Sequence, residues 1–157
     1  MRRVHNWPAP KWVRLWMLCA SRAGDGWLWL SLIAIVYLAG GYRAAVTALL
    51  SATFSILLFL VLKRTASRKR PCEFEPHCWA NLLPPDQFSF PSGHTMSAFA
   101  VAVSLGMYYP WSMAGLLFAA GSIGASRIVL GMHFLSDVVV GGVMGSALAY
   151  AVVGMVR

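Results

Sequence analysis

The sequence predicts an all-α protein: a polytopic transmembrane bundle of five to six helices with an N-terminal interfacial amphipathic helix. Three observations predict it. The chain is 59% hydrophobic and 11% charged, less than half the roughly 25% charge of a soluble domain. Between Gln87 and Ser126 the only side chain that charges near neutral pH is His94, and at about 20 residues per crossing this stretch holds two spans. Apolar runs recur on either side of it, separated by short breaks rich in Gly, Pro or cations.

The first element is residues 1–24. On a helix, Lys11, Arg14, Ser21 and Arg22 share one side and Trp12, Val13, Trp16 and Ala20 the other. That pattern suits a helix in the membrane interface, with its basic side to the headgroups and its tryptophans at the acyl boundary. It is not a clean signal peptide, because Lys11 and Arg14 interrupt the apolar run such a peptide needs. The segment "SRAGDG" (21–26) breaks the helix. Spans are then expected at Trp27–Gly40, Ala44–Leu62, His94–Tyr109, Trp111–Ser126 and Phe134–Val156, with residues 63–92 forming a polar loop. No repeat or long polar linker divides the chain, so residues 1–157 read as one membrane-embedded domain. Gly141, Gly142 and Gly145 mark close helix packing, either inside the bundle or in a homodimer.

The net charge of +8 is distributed unevenly. Five cations precede residue 23, five more lie in "KRTASRKR" (63–70), and Arg127 stands between two spans. Threading the spans puts these on one membrane face and leaves only Arg43 and Arg157 opposite. Such a face attracts anionic headgroups. Nucleic acid is excluded as a partner, because no aromatic-studded soluble surface is available to read bases. The partner this charge fits is a phosphate-bearing membrane lipid.

The same face collects the groups able to react. Lys63 and Arg70 follow the second span, Ser92, Gly93 and His94 open the third, Arg127 closes the fourth, and His133 with Asp137 opens the fifth. Three cations neutralise a phosphoryl group, with two arginines able to bind it in bidentate fashion. Backbone N–H groups around Gly93, at a helix N-terminus, suit an anion. Two histidines supply a nucleophile and a general acid. Spaced i and i+4, His133 and Asp137 are expected to share a helix face, the carboxylate fixing the imidazole tautomer.

These residues carry a resemblance. Lys63, six residues, Arg70-Pro71; then Pro91-Ser92-Gly93-His94; then Ser126-Arg127, five residues, His133, three residues, Asp137: the pattern resembles the three signatures of the type-2 phosphatidic acid phosphatase superfamily, which includes integral-membrane lipid phosphatases. It spans residues 63–137 with no departure at a motif position. The resemblance implies that His133 attacks phosphorus to form a phosphohistidine, with Asp137 orienting it. It implies that His94 protonates the leaving oxygen and later activates water. Lys63, Arg70 and Arg127, with Ser92 and the amide of Gly93, would hold the phosphoryl oxygens. No metal or other cofactor is implied, the three cations taking a divalent ion's electrostatic part.

Other polar residues have plainer readings. Ser92 also fits an N-cap, which is compatible with phosphate binding. Arg64, Arg68 and Lys69 read as a juxtamembrane flank, although they also suit a second phosphate and so tilt the substrate toward undecaprenyl diphosphate over phosphatidylglycerol phosphate or phosphatidic acid. His5 and His77 match nothing. Cys72 and Cys78 share the polar loop, and a disulfide there would indicate an oxidising compartment; unpaired thiols are the alternative. The positive-inside rule puts the reactive face in the cytoplasm, whereas the resemblance implies the periplasmic face of a bacterial inner membrane. The second is the expectation adopted. An anion transporter or a structural membrane subunit would need no His133–Asp137 pair facing a second histidine.

Overall fold

A computed structural model of the chain describes residues 10–66, 68–71 and 88–156. Cys72, Cys78, His5 and His77 lie outside these. Among the described residues six α-helices run α1 (Lys11–Ala23), α2 (Trp27–Leu38), α3 (Tyr42–Ala66), α4 (Gly93–Tyr108), α5 (Met113–Val129) and α6 (Leu135–Val156), with a 3₁₀ turn at Pro110–Ser112. The five expected spans coincide with α2 to α6 to within four residues at each end. Among the described residues three stretches are long and apolar enough to cross a membrane: Tyr42–Ala66, Pro110–Val129 and Leu135–Val156.

The organising element is α4. At 16 residues it is short, and it is surrounded by α3, α5 and α6. Its sequence explains why it can be central. Residues Ala98, Ala100, Ala102, Ser104 and Gly106 are small and fully or nearly fully buried, letting three neighbours approach its backbone closely. The approach is tightest at α6. A Cβ on Gly145 would collide with the Met96 carbonyl, and one on Gly141 would lie 2.8 Å from the Ser92 carbonyl. The glycines considered for a homodimer contact are therefore occupied within the bundle by α4.

A polar seam joins α3 to α4: Ser104 donates to Ser51 at 2.7 Å, and Thr47 meets the Tyr108 hydroxyl at 3.2 Å. Away from these contacts α3 exposes Leu49, Leu50, Phe54, Leu57, Leu60 and Val61. A continuous exposed apolar surface of this kind suits lipid and not water.

The N-terminal helix α1 docks along α5. Trp16 meets Phe118 edge-on, with ring centroids 5.8 Å apart, and Ser21 meets Arg127 further along. Lys11, Arg14 and Arg22 remain exposed as the amphipathic pattern requires, whereas Ser21 turns inward and is buried. Chain direction then places five structures at one end of the bundle: the α1–α2 turn, the C-termini of α3 and α5, and the N-termini of α4 and α6.

Candidate active site

The two ends of the polar loop are tied together before they reach the site. Lys69 and Phe88 form an antiparallel bridge, with Ser89 N–H donating to the Arg68 carbonyl at 2.7 Å and the Ser89 hydroxyl to the Lys69 carbonyl at 3.1 Å. This clasp fixes Arg68, Arg70 and the Ser89 carbonyl as one unit. It then meets the α5–α6 connection, where Arg70 Nη1 donates to the Met132 carbonyl at 2.9 Å. Arg70 is only 2% exposed, and its guanidinium lies 3.5 Å from His133 Nε2.

His133 is itself buried, and its Nδ1–H donates to the Ser89 carbonyl. A donated Nδ1–H leaves the lone pair on Nε2, the nitrogen facing Arg70. This corrects one expectation. His133 precedes α6 and does not share a helical turn with Asp137; Asp137 Oδ2 lies 3.7 Å from Nδ1, an ion-pair distance, and the tautomer is set by Ser89. The reason is that Asp137 has other partners. Its Oδ2 accepts the Phe134 N–H at 2.8 Å at the start of α6, and its Oδ1 accepts Arg68 Nη1 at 2.9 Å. Arg68, read as a flank or as a holder of a second phosphate, instead engages Asp137 and stacks over the Phe134 ring at 4.1 Å.

Burial is the main force on the His133 imidazole, pushing its pKa down to about 4. Asp137 opposes this, while Arg70 and Arg127 reinforce it. The ring is therefore neutral at physiological pH, the form a nitrogen nucleophile needs.

Ser92 departs from its expected role as a side-chain cap. Its N–H is donated to the Asp137 carbonyl at 3.1 Å and its hydroxyl pairs with Thr95 Oγ1 at 2.9 Å. It makes no side-chain cap of α4 and lies fully buried behind Gly93. Ser92 thus joins the N-terminus of α4 to α6, and Gly93 faces the site in its place. Gly93 is needed there, since a Cβ would lie 3.0 Å from the Phe59 ring.

Lys63, Arg70, Gly93, His94, Arg127 and His133 all line one cavity of about 520 Å³. Lys63 sits over the Phe59 ring at 4.6 Å, and Arg127 Nη1 donates to Ser21 at 2.6 Å. Three segments far apart in sequence thus bring three cations and two imidazoles to one cavity. The remaining lining is largely apolar: Trp29, Leu30 and Ile33 of α2, Ala52, Ile56 and Phe59 of α3, and Val101 of α4. Leu30 and Ile56 are also exposed. The buried Trp29 indole N–H has no hydrogen-bond partner among the described residues. An unmade bond of this kind costs roughly 1–3 kcal/mol.

The sequence profile of the PAP2 superfamily matches residues 44–157. The chain belongs to the PAP2 superfamily. Among curated relatives it is 33% identical over 121 residues to the decaprenylphosphoryl-5-phosphoribose phosphatase of Mycobacterium tuberculosis, covering 77% of this chain and 66% of that protein. It is 27% identical over 136 residues to the undecaprenyl-diphosphatase of Sulfolobus acidocaldarius, covering 85% of this chain and 66% of that one. The crystal structure of a transmembrane PAP2-type phosphatidylglycerolphosphate phosphatase from Bacillus subtilis superposes with a TM-score of 0.79 at 28% identity, covering 98% of this chain and 81% of that one. The PAP2 match and the apolar helices together make this a multi-pass membrane protein.

Three groups at the site escaped the sequence reading. Ser21 and Ser89 carry no motif signal, one acting through an ordinary hydroxyl and the other through its backbone. Asp25 accepts a hydrogen bond from His94 Nε2 at 2.9 Å. It had a signal: it is the only acidic residue before Glu73 and sits on the cationic face.

Proposed function

We propose that this PAP2 protein is a lipid phosphatase that transfers the phosphoryl group of a membrane lipid to His133 and then to water. One observation carries the reading: three cations, two imidazoles and a set of apolar side chains from α2 and α3 line the same cavity. A phosphate at the headgroup plane meets Lys63, Arg70 and Arg127 while its chain stays among Leu30, Ile56 and Phe59.

In this scheme His133 Nε2 attacks phosphorus, forming a P–N bond as the P–O bond to the lipid breaks. His94 gives a proton to the departing oxygen. The resulting phosphoimidazolium keeps its Nδ1–H on Ser89, with Asp137 nearby to offset the new positive charge. Water then attacks phosphorus, loses a proton to His94, and the P–N bond breaks to release phosphate and neutral His133. The arginines stabilise charge developing on the equatorial oxygens. That electrostatic work is supplied by side chains, so the reaction is proposed to run without a divalent metal.

For the lipid we favour a polyprenyl carrier, undecaprenyl diphosphate above all, over phosphatidylglycerol phosphate or phosphatidic acid. Two of the named relatives act, by name, on polyprenyl-linked phosphates. Arg68 is engaged with Asp137, so the diphosphate reading no longer draws on it. The test is kcat/KM for undecaprenyl diphosphate and phosphatidic acid in matched detergent micelles. A higher value for the diphosphate supports this reading; a clear preference for the glycerolipid monophosphate rejects the diphosphate and leaves the phosphatase assignment standing. The site is proposed to face the periplasmic side of a bacterial inner membrane, to be checked by labelling Cys72 and Cys78 with an impermeant thiol reagent in intact cells after reduction.

A further inference from the structure

We propose that Asp25, in the turn between α1 and α2, is a positioning residue that orients His94 for proton transfer to the leaving oxygen. The inference rests on the reading of His94 as general acid given above.

The geometry is direct. Asp25 Oδ1 accepts from His94 Nε2 at 2.9 Å, across 69 residues of sequence. Both side chains line the cavity with Arg127, Arg70 and His133. The turn that delivers the carboxylate is built for close approach. Gly26 adopts φ 106°, a left-handed conformation that favours glycine. Gly24 lies flush against the site, where a Cβ would fall 2.8 Å from Ile123 Cγ2 and 3.0 Å from His94 Cδ2. Ser21, one turn earlier, receives Arg127 at 2.6 Å. The α1–α2 hairpin is thus pinned to the catalytic end through two of the residues assigned to the chemistry.

With Nε2–H donated to Asp25, the ring is held in one orientation and the proton that moves is the one on Nδ1. The carboxylate stabilises the imidazolium before transfer, and again when the ring accepts a proton from water. Arg22 Nη1 stands 3.9 Å from the other Asp25 oxygen, leaving Oδ1 to His94.

A general acid matters most when the leaving group is a poor one, which gives a readout that a packing role would not move. The full-length protein in detergent micelles is assayed on phosphatidic acid, whose leaving group is an alkoxide, and on p-nitrophenyl phosphate, whose leaving group departs without protonation. The quantity compared is kcat/KM, which stops at formation of the phosphoenzyme and excludes its hydrolysis. Asp25→Asn is expected to lower the value on phosphatidic acid by about 10–100-fold and on p-nitrophenyl phosphate by less than about threefold, with His94→Ala showing the same selectivity more strongly. Asp25→Glu should restore part of the loss. Equal losses on both substrates for Asp25→Asn, or no loss on either, overturn the role of Asp25 while a selective His94→Ala leaves the general-acid reading intact. A His94→Ala protein that loses both substrates equally overturns that reading and this inference with it. If Asp25→Asn does not accumulate, Gly24→Ala, which forces the turn off His94 but keeps the carboxylate, is read by the same criterion.

Discussion

Arg68 and Asp137, 69 residues apart, form an ion pair of 2.9 Å that joins the end of the α3 segment to the first turn of α6. Asp137 is wholly buried while the Arg68 side chain is 42% exposed, so the carboxylate is the partner that suffers if the pair is broken. Discounted for the exposure of Arg68, Arg68→Ala should destabilise the protein by roughly 1–2 kcal/mol. In an Asp137→Asn background the same substitution should cost clearly less, since contacting residues are not additive. Thermal unfolding in detergent of the two single variants and the double variant gives the coupling. Additive effects would show that the pair does not hold the two segments together.

The buried His133 ring sets a pH expectation. Its pKa lies near 4, below the usual imidazole value, so the neutral ring persists down to that pH and gains a proton only as pH falls through it. NMR of isotope-labelled histidine side chains in micelles should show one imidazole titrating well below the others, and its signal should vanish in His133→Ala. Asp137→Asn removes a charge that favours the protonated ring and should move the titration lower still. A His133 titration at about 6.5 would contradict the burial argument.

Turnover should continue in a chelating buffer such as EDTA, and vanadate should inhibit by occupying the place of pentacoordinate phosphorus among Lys63, Arg70 and Arg127. Phosphate release from a lipid phosphate in micelles measures both. Complete loss of activity on chelation, restored by Mg²⁺, would defeat the proposal that side-chain cations suffice.

The α4–α6 contact predicts a contrast between two glycines. Gly145→Ala places a Cβ against the Met96 carbonyl, where only backbone can yield, and should destabilise by about 1–3 kcal/mol. Gly121→Ala meets nothing within 4 Å and, in the interior of α5, should be neutral or stabilising by up to about 1 kcal/mol. Melting temperatures in detergent separate the two, and similar values would mean that the close packing of α6 on α4 is not needed.

Much of this arrangement was legible in the sequence because hydropathy and threading determine which ends of the helices meet. Lys63, Arg70, Gly93, His94, Arg127 and His133 follow from that logic and line one cavity. The partners that orient them do not. Ser89 acts through a carbonyl, which every residue possesses, and its placement depends on the clasp between Lys69 and Phe88. Arg68 looked like one of several basic flanking residues because spacing cannot show that its side chain turns toward Asp137. Ser92 matched a phosphate-binding pattern, yet its polar atoms are used by Asp137 and Thr95. The central position of α4 was available in its small residues, but a span counted only by length and hydropathy reveals how apolar a helix is and not how many neighbours surround it.

The most direct test of the account is to trap the phosphoenzyme. A lipid phosphate labelled in its terminal phosphoryl group is mixed with the protein in micelles, quenched in alkali, and the labelled peptide is mapped by mass spectrometry. The account predicts an acid-labile, alkali-stable phosphate on His133 that is absent from His133→Ala, together with loss of turnover in that variant. Label on any other residue, or an active His133→Ala protein, would contradict it.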